Sequence, residues 1–142
     1  MLISTKGRYA LRVMIDLAEH QSEGHIPLKD TARRQEISEK YLEGIIKLLV
    51  RNKFLSGVRG KGGGYRLTKA PEQYTVGSIL RLTEGDLAPV ACLAGEENRC
   101  ERCGECPTLD FWTGLYATVN AYIDRYTLAD LLEEQKRKQG KI

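Results

Sequence analysis

A chain of 142 residues, 42% of them hydrophobic, can bury one core of ordinary size, or a small domain plus an appended element, without disulfides. No apolar run approaches the length of a bilayer span, and the first twenty residues carry charge inside their apolar periodicity, which argues against a membrane protein and for the cytoplasm. The net charge of +3 hides an asymmetry: residues 1–70 hold 14 Lys+Arg against 7 Asp+Glu and residues 71–142 hold 8 against 12, so one half suits a polyanion and the other a different task.

Ser4 or Thr5 can cap a first helix, in which Tyr9, Ala10, Val13, Met14, Leu17 and Ala18 recur on one face. His20 to His25 ends it, and two histidines near a helix end read as exposed or capping groups, not ligands. Pro27 suits the first turn of a short second helix, 28–35, whose Ala32 is small enough for close packing. After a turn at Ile37 and Ser38, Ser38 caps a third helix with Leu42, Ile45, Ile46 and Leu49 as its buried stripe and Glu39, Lys40, Glu43, Lys47 and Arg51 outward. Two helices joined in this way make a helix-turn-helix able to enter a major groove.

Leu55, Val58, Tyr65 and Leu67 flank Gly60-Lys61-Gly62-Gly63-Gly64, a glycine-tipped β-hairpin that serves as a wing. Its Arg59 and Lys61 project toward the DNA backbone or minor groove. Either piece alone would read as a solvated helix face or a plain hairpin. Their succession decides for double-stranded DNA, because from Gly44 to Pro71 there are seven basic residues and no acidic one. A phosphate-binding loop does not fit, since Gly62 stands where that motif needs Ser or Thr.

Val76, Ile79, Leu80 and Leu82 give a fourth helix ended by Gly85, and residues 87–107 read as an irregular functional loop. From Thr108 a long helix carries Trp112, Leu115, Val119, Tyr122 and Tyr126 at 3-4-3-4 spacing, with Tyr116 and Ile123 flanking. That stripe, spanning 112–126, is expected to pair with its copy in a homodimer, which would present two reading helices to two half-sites. Thr127 and Asp130 cap a last helix. The expected fold is mainly α with a small β-hairpin wing: a winged helix-turn-helix domain over 1–84, a cysteine-rich sensor loop over 85–107, and a dimerisation helix with a C-terminal helix over 108–142.

Within that loop Cys92, Cys100, Cys103 and Cys106 place four soft donors within reach of one centre. Such density suits an iron-sulfur cluster, 2Fe-2S or 4Fe-4S, or tetrahedral zinc, and spacing alone does not separate them; a metal-free thiol switch is the third possibility. No nucleophile stands with a base and an orienting acid, so no enzymatic activity is expected.

The opening ISTKGRYAL, the segment ISEKYLEGI, the wing VRGKGGGYRL, the following TVGSIL, the cysteine loop and the helix ending in TLADLL together resemble the Rrf-two superfamily of bacterial winged-helix regulators, whose members include the IscR, NsrR and CymR types. The resemblance covers nearly the whole chain and implies a dimeric transcription factor. It places Ser38, Lys40, Tyr41 and Glu43 at the major groove and Arg59 in the minor groove. Glu43 would select sequence by accepting from a cytosine amino group. Cluster-bearing relatives use three cysteines and one further ligand, and Cys92, Cys100 and Cys106 match that trio. The borrowed fourth ligands are absent, with Leu109, Arg8 and Arg12 standing at their positions, so Cys103 completes the set. CymR-type relatives bind no cluster and respond through a partner protein, which keeps a cluster-free regulator open beside the less favoured small electron carrier.

Overall fold

The computed structural model describes residues 2–98 and 100–140. Its elements run α1 (Thr5–Glu19), α2 (Leu28–Gln35), α3 (Glu39–Arg51), β1 (Leu55–Val58), β2 (Gly64–Leu67), α4 (Val76–Glu84), α5 (Leu109–Arg125) and α6 (Leu128–Lys138), with single 3-10 turns at Gln21–Glu23, Pro71–Gln73 and Ala91–Leu93. The helix starts obey local chemistry. The hydroxyls of Ser4, Ser38, Thr75 and Thr127 each accept from a backbone N–H of the first helical turn, satisfying a donor that the helix leaves orphaned. Pro27 lies one residue ahead of α2, at the capping position instead of inside the first turn.

One core joins the helix-turn-helix to the hairpin and the C-terminal helix: Val13, Met14 and Leu17 of α1 meet Leu42, Ile45, Ile46 and Leu49 of α3, with Leu55, Ile79 and Leu128 closing around them. Each of these side chains is at most 2% exposed, which makes α6 part of the body through Leu128 and Leu132. The hairpin pairs antiparallel with Leu55 opposite Leu67 and Val58 opposite Gly64. Ile26 adds a further antiparallel bridge to β2, exchanging backbone hydrogen bonds of 2.8 and 2.9 Å with Tyr65.

That bridge explains one glycine. A Cβ at Gly64 would overlap the backbone carbonyl of Ile26, so only glycine lets the wing pass so close to the entry of α2. The buried Tyr74 fastens the other end of the hairpin: its hydroxyl donates to Phe54 O at 2.8 Å and accepts from the amides of Thr68 and Lys69. The result is a winged helix-turn-helix whose wing is fixed at both ends.

A second, smaller apolar cluster seats α5. Val76, Leu80 and Leu87 receive Tyr116 and Ile123, and Arg81 clamps the contact with paired 2.8 Å hydrogen bonds to Asp124 and one of 2.9 Å to Asn120. Backbone bonds from Val76 N to Tyr126 O and from Leu128 N to Tyr74 O, both 2.9 Å, stitch the α5–α6 corner to the strand-like entry of α4. No helix among the described residues is long and apolar enough to cross a membrane.

Candidate nucleic-acid interface and cysteine segment

The seat of α2, the helix that leads into α3, is set by a buried carboxylate on α1. Asp16, 1% exposed, accepts from Arg34 Nε and Nη2 at 2.9 and 2.7 Å, from Gln35 Nε2 at 3.0 Å and from Thr31 Oγ1 at 3.3 Å. The hydrogen bond to Asp16 holds the Arg34 guanidinium above its ordinary pKa. Arg12 reaches the Gln35 side chain at 3.1 Å and also its carbonyl, so α1 grips α2 at several points. The turn that follows needs Glu36 at φ 56°, and Ile37 N closes it on Ala32 O at 3.0 Å. Ala32 is buried beneath this turn, as its small side chain requires.

On the outer side, Ser38, Lys40, Tyr41, Glu43, Arg59 and Lys61 are all exposed. Ser38, Lys40 and Tyr41 surround one hollow together with Lys6, Gly44 and Ile45. The Ser38 hydroxyl already accepts from Tyr41 N, and the Tyr41 ring is held edge-on by Tyr9, with centroids 5.8 Å apart. Glu43 pairs with Lys47 at 3.3 Å; both side chains are more than half exposed, so the pair is weak. Lys47, Arg51 and Arg59 line a groove between α3 and the wing, whereas Lys61 stays out at the tip. Sequence placed Lys47 and Arg51 on the outward face of the third helix and in the basic run, but their alignment with Arg59 comes only from the hairpin's fold-back.

The 3-4-3-4 stripe divides on the structure. Trp112 and Val119 are half-buried, while Leu115, Tyr122 and Tyr126 are exposed, and Phe111, outside the stripe, is 65% exposed. Tyr126 caps α5 instead of belonging to it. The exposed apolar face is therefore Phe111, Leu115, Tyr122 and Tyr126, with Tyr116 and Ile123 turned to the chain's own α4. A repeat of threes and fours does not tell two apolar faces of one helix apart.

The cysteine segment contains little regular structure. All four thiols are free; Cys100 is exposed and Cys92, Cys103 and Cys106 half-exposed. Cys92 and Cys100 line one hollow with Ala91, Ala94, Gly95 and Glu96, but Cys103 and Cys106 do not reach it. Among the described residues no three His, Cys, Asp or Glu side chains converge closely enough to hold a metal ion. The donor chemistry suits a soft metal, and the geometry requires the segment to close. Cys106 sits just before α5, 3.4 Å from the Thr108 hydroxyl; that hydroxyl and the Thr108 amide pull its thiol below the usual range.

Sequence reading overlooked the anchor of this segment. Asp86 accepts from Ala88 N at 2.7 Å, Gly95 N at 2.9 Å and the Tyr116 hydroxyl at 3.1 Å, joining the loop to α5. The Gly95 and Ala88 amides hold its carboxyl below the ordinary range, while desolvation and the bond to Asp86 raise Tyr116. The available signal was an aspartate directly after the capping Gly85, placed to bond the amide two residues on.

A family model described as "Rrf2: Iron-dependent Transcriptional regulator" matches residues 3–134. The HTH-type transcriptional regulator IscR of Serratia proteamaculans is 36% identical over 135 residues, covering 95% of this chain and 81% of the relative. Among solved structures, CymR, the global cysteine regulator of B. subtilis, superposes with a TM-score of 0.77 at 36% identity, over 94% of this chain and 98% of that one. The T. potens IscR structure gives 0.76 at 33% identity, over 98% and 91%.

Proposed function

The chain belongs to the Rrf2 family of transcriptional regulators, and from that premise we propose a cytoplasmic homodimer that binds operator DNA through α3 and the wing under the control of a cysteine-ligated iron-sulfur cluster. Ser38, Lys40, Tyr41 and Glu43 face the major groove, and Arg59 and Lys61 reach the minor groove or backbone beside it. The apolar face of Phe111, Leu115, Tyr122 and Tyr126 meets the same face of a second copy. In this scheme 1–84 reads, 85–107 senses and 108–142 dimerises. The division is one of task, since Leu132 of α6 packs into the reading body.

The observation that carries the sensing role is four free thiols on one short, open segment tied to α5 through Asp86 and Tyr116. Cys92, Cys100, Cys103 and Cys106 would hold the cluster, which supplies a redox-active centre when bound. Gathering them orders the segment, and the Asp86–Tyr116 bond relays that ordering to α5 and so to the spacing of the two reading helices. Anaerobically purified protein is expected to absorb in the visible, with iron and sulfide in near-equal amounts. A colourless protein carrying zinc or no metal would sink the cluster.

A second reading has its own support. The depressed Cys106 thiol and the exposed Cys100 suit a thiol switch without metal, in a regulator structurally close to the B. subtilis CymR protein. Intact mass with and without reductant separates the two, since a switch gains or loses two hydrogens per disulfide. Either reading leaves DNA as the partner, and a small electron carrier would show no preference among DNA sequences.

A further inference from the structure

Four glycines lie inside α-helices, and two of them are accounted for by the chain itself. A Cβ at Gly7 would overlap the Glu84 carboxylate that accepts from Ser4, and one at Gly77 would overlap the Asp124 carboxylate held by Arg81. Gly44 and Gly114 have no such reason: nothing lies within 4 Å of the Cβ position at either. Glycine weakens a helix relative to alanine, so an exposed, unobstructed glycine in mid-helix is a cost that nothing inside this chain explains. Gly114 lies on the exposed side of α5, whose apolar stripe is assigned above to a second copy. Gly44 lies at the centre of the outer face of α3, between Tyr41 and Lys47.

What Gly44 leaves open is a hollow of definite character. Its apolar part is the Gly44 backbone, Ile45 and the Tyr41 ring, and its polar rim is Lys6, Lys40 and Ser38. Tyr41 cannot swing freely into the space because Tyr9 packs edge-on against it. The cationic rim selects an anionic partner, which on this face is the DNA backbone. Of the groups that base pairs show in the major groove, only the thymine 5-methyl is apolar.

We infer that Gly44 is a specificity-determining residue: the hollow it keeps open receives the 5-methyl group of a thymine, while Lys6 and Lys40 take the flanking phosphates. This rests on the reading of α3 as the element that enters the major groove. A methyl group at position 44 would occupy the seat and hold α3 off the base edges, although it would strengthen the free helix. Stability and recognition should therefore respond to Gly44→Ala with opposite sign.

The test begins with the full wild-type chain, purified anaerobically, selecting duplexes from a random-sequence DNA pool. If no sequence is enriched, the DNA-reading function itself falls, whatever the role of Gly44. On an enriched duplex, Gly44→Ala is expected to bind roughly tenfold or more weakly, with non-specific duplex bound within about twofold of wild type. The free variant should melt about 2–4 °C higher. Replacing each thymine in turn with deoxyuridine should reveal one position where loss of the methyl weakens the wild type by about fourfold and leaves Gly44→Ala unaffected. The inference is overturned if Gly44→Ala binds as tightly as wild type or melts lower. It is overturned equally if specific and non-specific binding fall together, which would place the sugar-phosphate backbone in the hollow, or if no thymine methyl matters.

Discussion

In the reading body a buried carboxylate, Asp16, accepts hydrogen bonds from three side chains and fixes α2 on α1; in the cysteine segment the comparable anchor, Asp86, is exposed and holds two amides and one phenol. The first arrangement is complete as it stands, with no buried side-chain polar atom lacking a partner among the described residues. The second carries four thiols suited to a soft metal, but among the described residues no three donors converge on one centre. The two regions thus differ in preorganisation: under the proposed function, one would meet DNA already in its final shape and the other would take its shape from what it binds.

The sharpest way to break this contrast is at Asp16. Asp16→Ala strands Arg34, Gln35 and Thr31 and is expected to cost roughly 2–4 kcal/mol, less than a fully buried pair because Arg34 is partly exposed. Urea unfolding measures it, and a loss under about 1 kcal/mol would show that α2 is held by apolar packing alone. Next comes the wing. Arg59→Ala should lower operator affinity about tenfold and reduce the salt slope by about one, with the melting temperature unchanged. Smaller in total affinity is Glu43→Ala, which should relax the choice among operators while binding stays within about threefold; an unchanged ranking of operators would remove Glu43 from selection.

Asp86 supplies the mildest probe. Its folded pKa lies below the unfolded one, so its contribution is complete above the ordinary aspartate value of about 4 and is lost as pH falls through the depressed value. Amide exchange at Ala88 and Gly95 should therefore keep its protection, relative to the intrinsic rate, between pH 5 and 7 and lose it only in stronger acid. Loss of protection already at pH 5 to 6 would mean that another group anchors the loop.

The parts legible in the sequence are those whose causes are local. Ser4, Ser38, Thr75 and Thr127 announce helix starts by capping chemistry, and the wing follows from clustered glycines between strand-forming residues. The Leu42, Ile45, Ile46 and Leu49 stripe was plain because one face of α3 is apolar and the other is not. Asp16 was hidden for the opposite reason: it sits on the apolar side of α1, and its partners Thr31, Arg34 and Gln35 come from another helix. Ile26 meets Tyr65 only after the chain has folded, and Phe111 escaped because the α5 repeat fits either of two faces. Of the candidate site, the six residues proposed to face DNA are exposed, whereas the Asp86 anchor and the open space at Gly44 depend on three-dimensional surroundings that spacing does not carry.

Gly64 has a bearing on how this protein would look in a genetic screen. Its neighbour at the Cβ position is the backbone of Ile26, which cannot move aside like a side chain, and its φ of 149° disfavours other residues as well. Every missense change in its codon should detach the wing from the entry of α2 and abolish regulation, although Gly64 is not among the residues proposed to meet DNA or metal. A map of loss-of-function alleles would mark position 64 as strongly as Arg59. Only purified variants, one still folded with a lowered salt slope and the other with a displaced wing, would tell the two kinds of indispensability apart.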